Sequence, residues 1–91
     1  MEYNQIALFK GNKIRRKLHE NEWWFSVVDV VRALTDTPNP RVYWGVMKNR
    51  LENEEKIQLF TICKQLKLES SDGKKYETDC ASTENLFRII Q

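Results

Sequence analysis

The feature that most constrains the fold is a change of period at Ser26. In "EWWFSVVDVVRAL", residues 22–34, an aromatic run suited to a short strand passes directly into apolar residues at helical spacing. Val27, Val30, Val31 and Leu34 fall on one stripe, while Asp29, Arg32 and Ala33 face away. The Ser26 hydroxyl can cap the free N–H groups of the first turn, and Asp29 stands three residues on, as in a capping box. A sheet and a helix therefore share one core. Successive strand residues point to opposite faces, so Trp23 and Phe25 are expected in that core with Val27, Val30, Val31 and Leu34. Trp24 is expected to be less buried than its strand neighbours. Nothing in the stretch is catalytic, so whatever faces a partner must lie elsewhere.

The flanking segments supply the rest of the elements. "NQIALFKGNKIRRKLH" alternates as a β-hairpin, with Gly11-Asn12 at the turn, where residues tolerant of positive φ are wanted. "ENE" makes a second turn into the "WWF" strand. "TDTPNP" ends the first helix, because each proline disfavours helix in the residue before it. Pro40 suits the first position of a second helix, with Asn39 as its cap, and the pattern extends over about 40–53. On that helix Tyr43, Trp44, Met47 and Leu51 share one face, and Arg41, Gly45, Lys48 and Asn49 the other. Gly45 either leaves a bare patch for another backbone or is a glycine tolerated near close-packed aromatics. "EEKIQLFTICKQL" fits a short helix through Ile57, Phe60 and Lys64, although its β-branched residues also fit a strand. "LKLESSDGKKYETDCA" reads as a hairpin turning at Ser71-Asp72-Gly73. "STENLFRIIQ" opens a helix capped by Ser82 or Thr83, with Leu86, Phe87, Ile89 and Ile90 apolar. It stops at Gln91 in mid-pattern, so this last helix is expected to continue in a longer protein. The predicted fold class is α+β, one domain over 1–91. Its small sheet comes from an N-terminal β-hairpin, a short third strand and a later hairpin, packed against two or three helices.

Composition narrows the function classes. No apolar run approaches the ~20 residues a membrane span needs. The N-terminus "MEYNQIALFK" is not read as a signal peptide, and the expected location is cytoplasmic. Cys63 and Cys80 lie far apart, form no CxxC pair and are expected to be reduced and unlinked. His19 has no serine or cysteine partner nearby in sequence, and a nucleophile needs a base within hydrogen-bond reach. Zinc would want four cysteine or histidine ligands, and the chain holds two cysteines and one histidine. Glu52, Glu54 and Glu55 lack the loop of alternating oxygen ligands that a hard cation requires. No phosphate-binding glycine motif is present. The chain is therefore expected not to be an enzyme and to need no cofactor or metal.

Binding remains. The net charge of +2 hides basic segments. Between Tyr3 and His19 there is no acid, but there are Lys10, Lys13, Arg15, Arg16 and Lys17. Arg41, Lys48 and Arg50 follow, again with no acid among them. Phosphates favour arginine and lysine on rigid elements, helped by helix N-termini. The candidate nucleic-acid-binding residues are thus Arg15, Arg16 and Lys17 of the hairpin with Arg41, Lys48 and Arg50 of the second helix. Two helices joined by a short turn loosely resemble a helix-turn-helix, but two prolines in the turn are atypical.

Three blocks are more specific. They are "W-x-S-V-V-D-V-V" at 24–31, "YW-x-x-x-K-x-R-L" at 43–51 and "T-D-x-A-x-T-E-x-L-F-R-x-I-Q" at 78–91. Together with the text around them they resemble the N-terminal domain of the BRO family, shared by baculovirus repeated-ORF proteins and phage antirepressors. The last block is most similar to a bacterial, prophage-derived branch that includes DNA-damage-inducible protein D. The resemblance covers nearly the whole chain and implies a DNA-binding α+β domain, often fused to a variable C-terminal region. It places Trp44, Lys48 and Arg50 in the family's second-helix block, which adds Trp44 to the candidate site. The expected partner is nucleic acid, duplex DNA first, in a prophage-type antirepressor or regulator of transcription. The rival is a protein–protein module that occupies a repressor without touching DNA. Tyr43 or Trp44 exposed on a flat apolar patch would favour the rival, and a continuous basic face joining hairpin and second helix would favour DNA. DNA against RNA, base preference and oligomeric state, a dimer included, are left open by the residues.

Overall fold

The computed structural model describes residues 6–9 and 11–90. Strands β1 (Ile6–Phe9), β2 (Asn12–His19) and β3 (Glu22–Ser26) run in succession, followed by helices α1 (Val27–Thr35) and α2 (Pro40–Asn53). A single 3-10 turn at Leu59–Thr61 leads to β4 (Lys64–Glu69), β5 (Lys75–Ser82) and helix α3 (Thr83–Ile89). The strands form one antiparallel sheet in the order β1-β2-β3-β5-β4. The α+β class read from the sequence holds.

Turn chemistry sets the strand pairing. Phe9 pairs with Asn12, so the first connection lies one residue earlier than expected, with Gly11 at φ +77°. His19 pairs with Glu22 across Glu20 and Asn21, both at positive φ (53° and 63°). That is the primed turn whose twist matches a two-residue hairpin. The last hairpin closes through Gly73 N–H to the Ser70 carbonyl at 2.9 Å, with Gly73 at φ +85°.

Ser26 caps α1, its hydroxyl accepting from the Asp29 N–H at 3.3 Å. The helix stops where Asp36 turns left-handed at φ 55° and its N–H reaches the Arg32 carbonyl. Pro40 opens α2 as expected, because its missing N–H would have no helical partner there. Asn39 occupies the cap position without a side-chain hydrogen bond. The expected short helix around Ile57–Lys64 is not formed beyond its three-residue 3-10 turn. From Lys64 the chain pairs residue for residue with β5, and Leu66 and Leu68 turn inward at strand period.

The main core lies between the helices and one face of the sheet. It joins Val27 and Val31 of α1, Trp44, Met47 and Leu51 of α2, Ile62, Ala81 of β5 and Ile89 of α3. Ile14, Val30 and Ala33 extend it toward β2, with Phe25 packed against them. The opposite face has a core of its own, because β4 and β5 curl over it. Trp24, Leu68 and Cys80 are buried together there. The expected order of the two tryptophans is therefore reversed: Trp24 is 7% exposed, while Trp23 is half-buried beneath the Arg16 guanidinium, 3.9 Å from its ring centre. Two further expectations fail on α1. Leu34 is 40% exposed, and Asp29 and Ala33 are buried, because α1 turns the Asp29 side against β2 rather than toward solvent. Cys63 and Cys80 are both free thiols.

Candidate functional site

Strand β2, the start of α2 and the β4–β5 hairpin converge on one cleft. Lys13, Arg15, Arg16 and Lys17 come from β2, Arg32 from α1, Pro40 and Arg41 from α2, and Lys67 and Lys75 from the hairpin. Asp29 and Glu69 are the acids on its lining.

Arg15 is the structural hub of this wall. Its Nε donates to Asp29 Oδ2 at 2.8 Å and its Nη2 to Asp29 Oδ1 at 3.2 Å, while its backbone N–H adds a third bond to Oδ2 at 3.0 Å. Its Nη1 reaches the Glu69 carbonyl at 3.2 Å. One side chain thus ties β2 to α1 and to the end of β4. The hydrogen bond and the charge of Asp29 hold the Arg15 guanidinium protonated, above its already high ordinary value, against the opposing pull of burial. Arg32 lies 3.7 Å from the same carboxylate and donates to the Lys13 carbonyl. The single charge of Asp29 is taken up inside this arrangement and Glu69 is the other acid on the lining, so the basic side chains outnumber the acids and the cleft is cationic. Lys13, Arg41, Lys67 and Lys75 are exposed along it.

The second-helix candidates divide. Arg41 lines the cleft and is exposed. Lys48 lies in the adjoining hollow, which also takes in Arg15, Arg41 and Trp44. Its Nζ is 3.3 Å from Asp79 Oδ2. Trp44 is 3% exposed, and its Nε1 donates to that same oxygen at 2.9 Å. Gln65 donates to the other oxygen at 3.2 Å. Burial raises the Asp79 carboxyl, but the hydrogen bonds from Trp44 and Gln65 and the charge of Lys48 outweigh it and hold the group below its usual range. Arg50 pairs with Glu55 at 3.3 Å and does not line the cleft. The structure thus brings Arg15, Arg16, Lys17 and Arg41 together, sets Lys48 beside them, seats Trp44 in the core and leaves Arg50 apart.

Sequence reasoning named Lys13 in its acid-free run but did not place it in the site, and it missed Arg32, Lys67 and Lys75. Lys67 and Lys75 could be found only by knowing that the last hairpin curls back toward β2.

A second hollow holds His19, Cys63 and Asp79, the grouping an enzyme would need. Burial first, then the neighbouring carboxylate of Asp79, pushes the Cys63 thiol up to about 12. Such a thiol carries almost no thiolate at neutral pH, and the thiolate is the nucleophile. Asp79 is already engaged by three donors. Among the described residues no group of three or more histidine, cysteine or acidic side chains could hold a metal ion, and no helix is long and apolar enough to cross a membrane.

A family model described as "BRO family, N-terminal domain" matches residues 13–91. No curated protein matches the chain, and no solved structure matches it.

Proposed function

Since the chain belongs to the BRO family through its N-terminal domain, a domain associated with phage antirepressor-like proteins, we propose that it is the DNA-binding module of a prophage-type regulator. One observation carries the reading: basic residues of the first hairpin and of the start of the second helix line one cleft. The feature that favours a repressor-binding module is present in part: Trp44 is buried, but Tyr43 is exposed on the same helix as exposed Val42 and Val46.

Binding then rests chiefly on phosphate contacts, from Lys13, Lys17, Arg41, Lys67 and Lys75. Arg15 positions the wall and contributes little free charge. Each phosphate neutralised releases condensed counterion, so the logarithm of affinity falls with the logarithm of salt by about 0.9 per contact on duplex DNA. The test is a titration of duplex and single-stranded DNA at two salt concentrations. The expected result is salt-sensitive duplex binding whose slope drops by about two in a Lys13→Ala, Arg41→Ala double variant, with an unchanged melting temperature. A parent protein that shows no salt-sensitive binding to any nucleic acid overturns the reading and leaves a protein partner in its place.

A further inference from the structure

The outward face of α2 is not used by the cleft. Val42 and Val46 are 66% and 67% exposed, a high value for two valines one helical turn apart. Gly45 lies between them, and apart from its chain neighbours and the adjacent helix backbone no heavy atom lies within 4 Å of where a Cβ would stand. Asn49 is exposed one turn further on. At about 100° per residue these four occupy one sector, opposite buried Trp44, Met47 and Leu51. The sector carries no charge; Arg41 stands on one rim, and Arg50, on the other, is paired with Glu55. The acids of the helix, Glu52 and the following Glu54 and Glu55, gather at its C-terminal end.

We propose that this sector reads base edges in the DNA major groove, through the first three turns of α2. The inference rests on the DNA reading above and adds what the cleft cannot supply, since phosphate contacts position a protein but do not specify sequence. The adjoining cationic cleft selects the occupant. The N-terminal end of α2 forms part of the cationic cleft through Pro40 and Arg41, so a phosphate strand held there runs beside the helix. A helix with its side chains is about 10–12 Å across, and the major groove is about 12 Å wide. The acidic C-terminal end repels phosphates and limits the approach to the N-terminal part.

The chemistry of the sector then sets a preference. An asparagine carboxamide pairs in bidentate fashion with adenine, accepting from N6 and donating to N7, and aliphatic groups pack on the thymine methyl. Gly45 keeps the backbone low enough for close approach. The centre of the sector has no arginine or lysine to pair with guanine. The expected target is a short A·T-containing step.

Selection from randomised duplexes with the 91-residue chain, followed by titration of the winner and of a scrambled duplex, tests this. The expected result is an enriched A·T step and a preference over the scrambled duplex that falls about tenfold in Asn49→Ala, one bidentate pair's worth. Binding to the scrambled duplex and its salt slope stay unchanged, and so does the melting temperature. Val46→Ala should lose part of the same preference. If the parent binds DNA with a salt slope but Asn49→Ala selects the same sequences, the base-reading face is overturned while the DNA reading stands. If no DNA binds, both fall. If Val46→Asp converts a dimer to a monomer in sedimentation and leaves sequence preference intact, the sector is a contact between copies of this chain, and the proposal is overturned.

Discussion

Asp29 and Asp79 tie the helices to the sheet by the same device at different depths. Asp29 lies under the cleft, its side chain 3% exposed, and meets Arg15 through two guanidinium bonds and a backbone N–H. Asp79 lies in the neighbouring hollow, its side chain 21% exposed, and meets Trp44, Lys48 and Gln65. Each neutralises a cation that the sequence alone offers to a partner. The depth of the carboxylate decides how firmly that cation is held. Arg15 belongs to the scaffold, whereas Lys48 stands at the border between the scaffold and the proposed binding surface.

The largest test of this comparison is stability. Removing one partner of a buried ion pair leaves the other charge uncompensated, typically at 3–5 kcal/mol. The Arg15 side chain is 26% exposed, which places Asp29→Asn at about 3 kcal/mol, near the low end of that range. Asp79→Asn keeps an acceptor for the Trp44 indole and is expected to cost about 1 kcal/mol. Urea denaturation of both variants decides the matter. Equal losses would mean that depth does not rank the two sites.

Acid sharpens the same contrast. The Asp79 carboxyl is held below its ordinary value of 3.8. A group depressed in the folded state stabilises fully above its unfolded pKa and loses that contribution as pH falls through the folded one. The stability advantage of the parent over Asp79→Asn is thus expected to be constant from neutrality down to about pH 5 and to shrink below about pH 4. Denaturation midpoints measured across that range check it. An advantage that persists unchanged at the acid end would show that the charge of Asp79 contributes nothing and only its shape matters.

The sequence made the local devices legible and the long-range ones obscure. The serine cap, the proline that opens α2 and the glycine of the last turn act within a few residues, so their chemistry predicts their place. The curl of β4 and β5 does not, since no residue within "KQLKLE" encodes which strand it will approach. That curl buries Trp24 instead of Trp23, and it brings Lys67 and Lys75 to the cleft. The partners that neutralise the cations are equally remote. Asp29 is 14 residues from Arg15, and Asp79 is 31 from Lys48. A charge count along the chain finds the basic segments but not which of their members are already occupied.

The smallest expected effect is the most informative about that occupancy. Arg41 and Lys48 lie on the same helix, and both face the region where a phosphate strand would pass. Arg41 is exposed, whereas Lys48 shares its charge with a half-buried carboxylate and lies 5.7 Å over the Trp44 ring. Replacing Arg41 by Met is expected to flatten the salt dependence of duplex binding by about 0.9 and to leave the melting temperature unchanged. Replacing Lys48 by Met is expected to change the slope less, because a lysine already neutralised displaces fewer counterions from DNA. It also lowers stability by less than about 1 kcal/mol, the scale of a largely exposed pair. If both variants flatten the slope equally, Lys48 leaves Asp79 when DNA arrives. In that event the parent's binding should tighten further in Asp79→Asn, where the lysine has no carboxylate to abandon. If Lys48→Met changes neither slope nor affinity, the lysine belongs wholly to the scaffold, as Arg15 does.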